Sequence, residues 1–412
     1  MTAELESSDP RQDARQMFQD ARDAMTEMKR EIKGAKEVLA DLVKSRYGDP
    51  TNKEDVLQAK KDFQASLKVH VITDGSDPKN ADLMTRMYDL YASVFPLEEE
   101  REELGKLLGM NTSKDTTAPA LEQWILLEDH DGKIIGARNV MNLSAVGSPD
   151  VTNTYEGTQS LVYSFVDPKF RSMGLGEYTL QIAEREGRKF IAESFSEPLD
   201  PDKVDMLQVA EQNAPLVLSM EAMLVDTEGA KTDQFWRREY YEGLGFRELD
   251  FGYVQVPLVP REEGGEPGEG MNLIVRNASG PFSTRNHTGA MTGVPAEVMD
   301  FYLGNYAQFV AAGAYDLNTD PSWVEQAAAI KAIQSSGGDV GVKPKLDFNA
   351  LKEQTWDFVD KYIDSQAFDP DTFSEASIGE VMGVDTIPEA KVAPVTSAPS
   401  RAPKQAPGAA AG

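Results

Sequence analysis

The sequence predicts an α/β protein: a mixed β-sheet with helices on its faces, a helical segment ahead of it and a helical appendage behind. Three observations carry that prediction. Strand-like and helix-like runs alternate through the middle of the chain, a heptad pattern precedes them, and aromatic residues at helical spacing follow. At 412 residues and 40% hydrophobic content, the chain is long enough for a full core plus accessory modules.

In chain order, Phe18, Ala21, Met25, Met28, Ile32, Ala35, Leu39 and Leu42 recur at spacings of three and four, and "RYGDP" at 46–50 stops the pattern. A second helical stretch runs over about 52–66. Residues 1–66 therefore read either as a helical hairpin packed on its own domain or as a coiled coil that forms a homodimer or docks a partner. From Leu67, "LKVHVIT" reads as a strand and "DLMTRMYDLYASVFPLEEERE" as an amphipathic helix. "QWILLEDHDGKIIGARNVMN" reads as two strands joined at "HDGK". "SLVYSFV" is then a strand, "GLGEYTLQIAEREGRKF" a helix and "FIAESF", around 189–195, a further strand, followed by a mixed region with "LVLSMEAML". "DQFWRREYYEGLGF" is a helix closed near Gly245, and "RELDFGYVQVPL" the final strand. Antiparallel strands early and β-α-β units late place a mixed sheet in one domain over 67–258. The glycine-rich "PREEGGEPGEG" and the short "MNLIV" make a loop and strand over 259–280. Helical spacing around 295–312, 322–335 and 347–366 makes 281–384 a helical appendage. Its aromatics, Phe301, Tyr302, Tyr306, Phe309, Trp323, Trp356, Phe358 and Tyr362, read as core. The Pro- and Ala-rich residues 385–412 are expected to be disordered.

Composition removes several classes of function. There is no cysteine, so thiolate nucleophiles, disulfides and Cys-ligated metals are excluded. His70, His130 and His287 are scattered, which argues against a histidine metal site. A net charge of -28 argues against nucleic-acid binding and would favour approach of a cationic acceptor, although it also fits a solubility adaptation. Neither a long apolar span nor a signal-like N-terminus is present, so a cytoplasmic location without membrane insertion is the expectation.

The chemistry-bearing stretch is "VYSFVDPKFRSMGLGEYTLQIAEREGRKF", from Val162. Between a strand and a helix it places Arg171, Gly174 and Gly176 in the pattern R-x-x-G-x-G. A P-loop would need Gly-Lys-Ser/Thr, but Glu177 and Tyr178 follow Gly176. A dinucleotide fingerprint would need a third glycine where Thr179 stands. What remains is a bare turn whose amides point together at a helix N-terminus, suited to a pyrophosphate, with Arg171 and Lys169 near enough to add charge.

"VDPKFRSMGLGEYTL" and, later in the chain, "YYEGLGFREL" resemble the two main motifs of the GCN5-related N-acetyltransferases, a family that uses acyl-coenzyme A. The resemblance covers about residues 67–258, including "VFPLEEERE" and the "DHDGKIIG" hairpin. It implies a splayed sheet whose fourth and fifth strands, around 160–166 and 189–195, part to admit the pantetheine arm. It implies acetyl-CoA as acyl donor and an amine-bearing acceptor. Main-chain N–H groups near Val166 would face the thioester carbonyl, and the pyrophosphate would lie on Arg171, Ser172, Met173, Gly174, Leu175 and Gly176. Tyr241, with Tyr240 as the neighbouring register, would be the general acid for the leaving thiolate. Gln234 stands where family members often carry an asparagine that contacts the cofactor. Glu193, on the expected fifth strand, is the first candidate for the base that takes the amine's proton, and Glu221 the second. A second class of function fits as well: a non-catalytic interaction protein that keeps this scaffold and docks through its helical N-terminus and tail.

Overall fold

The structure is a computed structural model that describes residues 30–96, 102–109, 120–144, 157–194, 216–222, 232–256, 270–276, 283–286, 288–311 and 316–347. All of them lie within one compact unit, Met17–Phe348. The first four residues of the heptad seam, the expected helix at 347–366 and the Pro/Ala-rich tail fall outside the described residues.

Helix α1 (30–46) and helix α2 (Lys53–Ser66) form a hairpin. Gly48, at φ +102°, makes the turn, and the Asn52 side chain caps α2 by accepting from the Glu54 N–H. The inward residues Ala35, Leu39, Val43 and Ala59 are buried. Leu39, Val43 and Ala59 join Met173, Leu175 and Leu180 in one hydrophobic cluster, so this part of the seam is used within the chain.

The sheet strands follow in order: β1 (Lys68–Ile72), β2 (Ala120–Glu128), β3 (Ile134–Ser144), β4 (Gly157–Val166), β5 (Leu216–Ala222), β6 (Arg247–Val254) and β7 (Gly270–Arg276). They are arranged β1-β2-β3-β4-β5-β7-β6, all antiparallel except β4 with β5. The fold is thus mixed α/β, with a mostly antiparallel sheet flanked by helices. Helix α3 (Pro78–Val94) and short α4 (Leu104–Leu108) follow β1, α5 (Leu175–Glu193) follows β4, and α6 (Thr232–Gly243) precedes β6. A small sheet of β8 (Thr284–Arg285), β9 (Met291–Pro295) and β10 (Asp339–Gly341) accompanies α7 (Ala296–Ala311) and α8 (Pro321–Ser335).

Every residue of β3 is buried, as expected of a strand covered on both faces. One face carries α5, α6 and the α1–α2 hairpin. The other carries two separate clusters. Met84, Met87, Leu90 and Tyr91 of α3 pack on Trp124, Leu126 and Phe165, while α7 packs Met299, Tyr302 and Tyr306 on Met141, Leu216 and Leu218. Helix α7 is apolar on nearly every side because it lies between the sheet and α8.

Strands β4 and β5 pair only from Thr158↔Leu216 to Leu161↔Ser219. Beyond that point they part: β5 continues along β7, and among the described residues Tyr163–Val166 pair only with β3. The β3–β4 ladder shifts register between Asn139 and Val140, leaving Val162 as an extra residue just where the parting begins.

Two expectations need correction. "FIAESF" is not a strand: helix α5 continues through Glu193, and Ile191 is buried against Gly157, where an added Cβ would come 2.6 Å from the isoleucine side chain. The fifth strand is instead "LVLSMEA". The short strand expected at "MNLIV" is present as β7, but it inserts between β5 and β6, so β6 is not the final strand.

Candidate functional site

The glycine turn lies where β4 hands over to α5. Asp167 begins it: its backbone N–H donates to the Ile135 carbonyl at 2.9 Å, its carboxylate accepts from the Lys169 N–H at 3.0 Å and it pairs with Lys133 at 2.5 Å. A short 3-10 turn, Pro168–Met173, then ends at Gly174, whose φ of +74° is a left-handed conformation that favours glycine. There the chain enters α5, whose first amides have no intrahelical acceptor and whose dipole favours an anion. Helix α2 braces the turn. Gln64 Nε2 donates to the Met173 carbonyl at 2.9 Å, and Phe63 stacks on Phe170 with ring centroids 5.6 Å apart.

The residues assigned to the cradle divide by role. Met173 and Leu175 point into the core, so only their main chain is available at the turn. Ser172 is half-buried. Arg171 does not point at an open cradle: its Nη1 holds Glu31 of α1 at 2.6 Å. Val166 ends β4 opposite Gly136. Gln234 lies on α6 and Glu221 on β5, opposite Asn272, but the side chains of both fall outside the described residues.

The neighbouring tyrosines of α6 resolve into different environments. Tyr241 is buried against Phe246, ring centroids 5.0 Å apart, in the cluster that holds Leu180 and Val217. Tyr240 is 38% exposed and turns its hydroxyl to the glycine turn, so that a Cβ on Gly176 would come 2.9 Å from that oxygen. The hydroxyl at the turn therefore belongs to Tyr240, not Tyr241, because successive helical residues diverge by about 100°. Burial raises the Tyr240 pKa, Arg138 opposes the rise, and Tyr241 and Glu177 add to it.

Beneath the same turn lies Arg138 of β3, fully buried. Its Nε donates to Thr179 Oγ1 at 3.2 Å and its Nη2 to the Gly176 carbonyl at 3.1 Å. Nothing in the sequence marks it beyond a lone cation inside an apolar strand.

Glu193 is not beside the gap between β4 and β5. It ends α5, exposed, 4.0 Å from Lys189 in an i, i+4 pair, because the helix runs on where a strand was expected. A different carboxylate lies on the sheet. On the face away from α5, Glu122 of β2 accepts from Asn139 Nδ2 at 2.8 Å, and Asn139 is paired with Tyr163 of β4. Burial pushes the Glu122 carboxyl up to about 7, against the Asn139 hydrogen bond and with a further push from Glu102. Tyr163 is hydrogen-bonded to Tyr91, whose hydroxyl accepts from the Glu102 N–H at 3.2 Å. Glu102, Glu122, Tyr91, Tyr163 and Tyr306 thus form a polar seam between the two hydrophobic clusters of that face. The only sequence signal for Glu122 is a charged residue within "ALEQWILLE", and its partner sits on another strand.

The site and fold define an α/β protein with a glycine turn at a helix N-terminus beside two parting parallel strands. Comparison with known protein families and with curated proteins finds no match for the chain. Among solved structures, it is similar to one described as an acetyltransferase of the GNAT family from Staphylococcus aureus Mu50. The alignment covers 51% of this chain and 99% of that one, at 13% identity and a TM-score of 0.28. Likeness at that level fixes neither a family nor an activity.

Proposed function

We propose that the protein is an acyl-CoA-dependent N-acyltransferase that moves an acetyl group from acetyl-CoA to a primary amine. One observation carries this reading: the parting of β4 from β5 meets, at a single turn, both the N-terminal amides of α5 and the hydroxyl of Tyr240. Acetyl-CoA supplies an activated thioester and an anionic diphosphate. The main chain from Arg171 to Gly176 fits the diphosphate, since Gly174 holds the left-handed conformation that turns these amides together. The edge of β4 after Leu161, unpaired among the described residues, fits an extended amide-bearing arm, which would pair with it as an added strand. A main-chain donor at Val166 would stabilise the developing oxyanion, an effect worth about 2.7 to 4 kcal/mol in analogous sites.

Tyr240, whose hydroxyl lies against Gly176, is assigned a hydrogen bond to the diphosphate, and the departing thiolate takes its proton from solvent. Glu122 replaces Glu193 as the group that takes the proton of the attacking amine, since a carboxyl with a pKa of about 7 is matched to that task near neutrality. The net charge of -28 suits an acceptor that arrives as a cation.

The test is thiol release from acetyl-CoA in the presence of a panel of primary amines, with wild type and Tyr240→Phe. The reading expects amine-dependent release in the wild type and a several-fold rise in KM for acetyl-CoA in the variant, with kcat held. Equal KM in both would overturn the role of Tyr240. A second reading, an interaction protein on this scaffold, draws on the Glu31 contact to Arg171, which uses a cradle residue for internal packing. Amine-dependent release would exclude it.

A further inference from the structure

The glycine turn lies between two helices. On the Gly176 side stands Tyr240 of α6, and on the Gly174 side stands α2, a helix of the N-terminal hairpin. Helix α2 presents Lys60 and Gln64, about one helical turn apart, to the glycine. A Cβ on Gly174 would lie 3.0 Å from Gln64 Nε2 and 4.0 Å from Lys60 Cδ. Gln64 is committed to the Met173 carbonyl at 2.9 Å. Lys60 is half-buried, and no carboxylate pairs with it among the described residues. Its aliphatic stem lies against the turn, and the ammonium is carried two bonds beyond Cδ. Beneath the turn, Arg138 is 0% exposed, donates from Nη2 to the Gly176 carbonyl at 3.1 Å and keeps Nη1 without a hydrogen-bond partner. Its Nε goes to Thr179 Oγ1, which is also neutral. The acids nearby are spent elsewhere: Glu31 holds Arg171 at 2.6 Å, and Glu177, exposed in the first turn of α5, accepts from Gln181 at 3.3 Å. In a chain with 69 acidic and 41 basic residues, this turn gathers a lysine and a buried arginine without carboxylate partners at a helix N-terminus. The charge that balances such a turn is an anion.

We infer that Lys60 is a phosphate-binding residue of the cofactor site: α2 supplies the cation that closes the Gly174 side of the turn over the diphosphate of acetyl-CoA, while Gln64 positions the turn through the Met173 carbonyl. The inference rests on the acetyltransferase reading. Main-chain amides offer a diphosphate only partial charges, and a lysine adds a full one on a stem flexible enough to follow the phosphates. Leu39, Val43 and Ala59 of the hairpin pack with Met173, Leu175 and Leu180, which keeps α2, and Lys60 with it, within reach of the turn. The hairpin thus belongs to the cofactor site as well as to the core. Coenzyme A carries a further phosphate on its ribose. Lys60 is assigned to the diphosphate because it lies at Gly174, whose φ of +74° turns the amides of the turn together.

The experiment is calorimetry on the full chain with wild type, Lys60→Met and Lys60→Arg, at low and high salt. The probes are acetyl-CoA and its dephospho form, which lacks the ribose phosphate, and thiol release with the best amine gives kcat. The expected result is acetyl-CoA binding about tenfold weaker in Lys60→Met and close to wild type in Lys60→Arg, with kcat at saturation held within about twofold. The difference between wild type and Lys60→Met should shrink as salt rises and should be the same size with the dephospho probe. Equal affinity in wild type and Lys60→Met, or equal losses in the Met and Arg variants, would overturn the role of Lys60 while leaving the acetyltransferase reading in place. A loss that vanishes with the dephospho probe would overturn the assignment to the diphosphate. Should Lys60→Met not fold, Lys60→Gln takes its place under the same criteria. A folded wild type that binds neither probe and releases no thiol would overturn the acetyltransferase reading and this role with it.

Discussion

Replacing Glu122 with glutamine removes a titration that the structure locates closely. Burial and the neighbouring Glu102 raise this carboxyl from 4.5 to about 7, with the Asn139 amide opposing them. The difference, about 7 less 4.5, is about 2.5 pH units, or about 3 kcal/mol at 1.36 kcal/mol per unit. The folded carboxyl keeps its proton up to about 7, whereas the unfolded chain gives it up near 4.5. Between those values the folded state binds more protons, so this group's contribution to stability falls as pH rises and is lowest above about 7. The neutral amide of Glu122→Gln has no such dependence. Urea unfolding of both proteins from pH 4.5 to pH 8 should therefore show the variant gaining on the wild type by about 3 kcal/mol, most of it before pH 7. Subtracting one protein from the other cancels the background set by the net charge of -28, which both carry to within one unit. A difference that stays flat from pH 4.5 to pH 8 would refute a raised Glu122 carboxyl. The same titration should appear in turnover, with kcat rising through about pH 7 in the wild type and not in Glu122→Gln.

Other consequences follow from individual contacts. Tyr241→Phe should leave kcat within a few-fold of wild type, whereas Tyr241→Ala should cost about 3–5 kcal/mol in urea unfolding because its ring is core. Gly176→Ala brings a Cβ to 2.9 Å from the Tyr240 hydroxyl, the far end of a movable side chain. The expected result is a thermal midpoint within a few degrees of wild type but acetyl-CoA binding several-fold weaker in calorimetry, because the methyl displaces the Tyr240 hydroxyl from the diphosphate. Glu31→Gln should release Arg171 from its 2.6 Å pair and tighten acetyl-CoA binding by several-fold in calorimetry, with the gain shrinking at high salt.

Much of this fold is legible where a residue type has a single local use. Gly174 at φ +74° and Gly132 at φ +80° mark turns that few other residues would make, and both read as turns from the sequence alone. The α3 spacing of Met84, Met87 and Leu90 or Tyr91 needs no tertiary information. By contrast, "FIAESF" is too short for periodicity to separate helix from strand, and the space Gly157 leaves for Ile191 decides in favour of helix. The insertion of β7 between β5 and β6 depends on long-range pairing that no local pattern encodes. In the site, the glycine turn is visible as a motif, but the choice between Tyr240 and Tyr241 requires the orientation of α6 against α5. Glu122 and Arg138 escape a sequence reading for a related reason: each acquires its character from residues on other elements, Asn139 and Glu102 for one, Gly176 and Thr179 for the other.

The central claim is that the glycine turn holds acetyl-CoA, and the thermal midpoint with and without acetyl-CoA tests it most directly, for wild type and Gly176→Val. At 100 times the dissociation constant, binding should stabilise the wild type by about 2.7 kcal/mol, seen as a clear upward shift. The account predicts that shift in the wild type and little or none in a folded Gly176→Val. No shift in a folded wild type would contradict it.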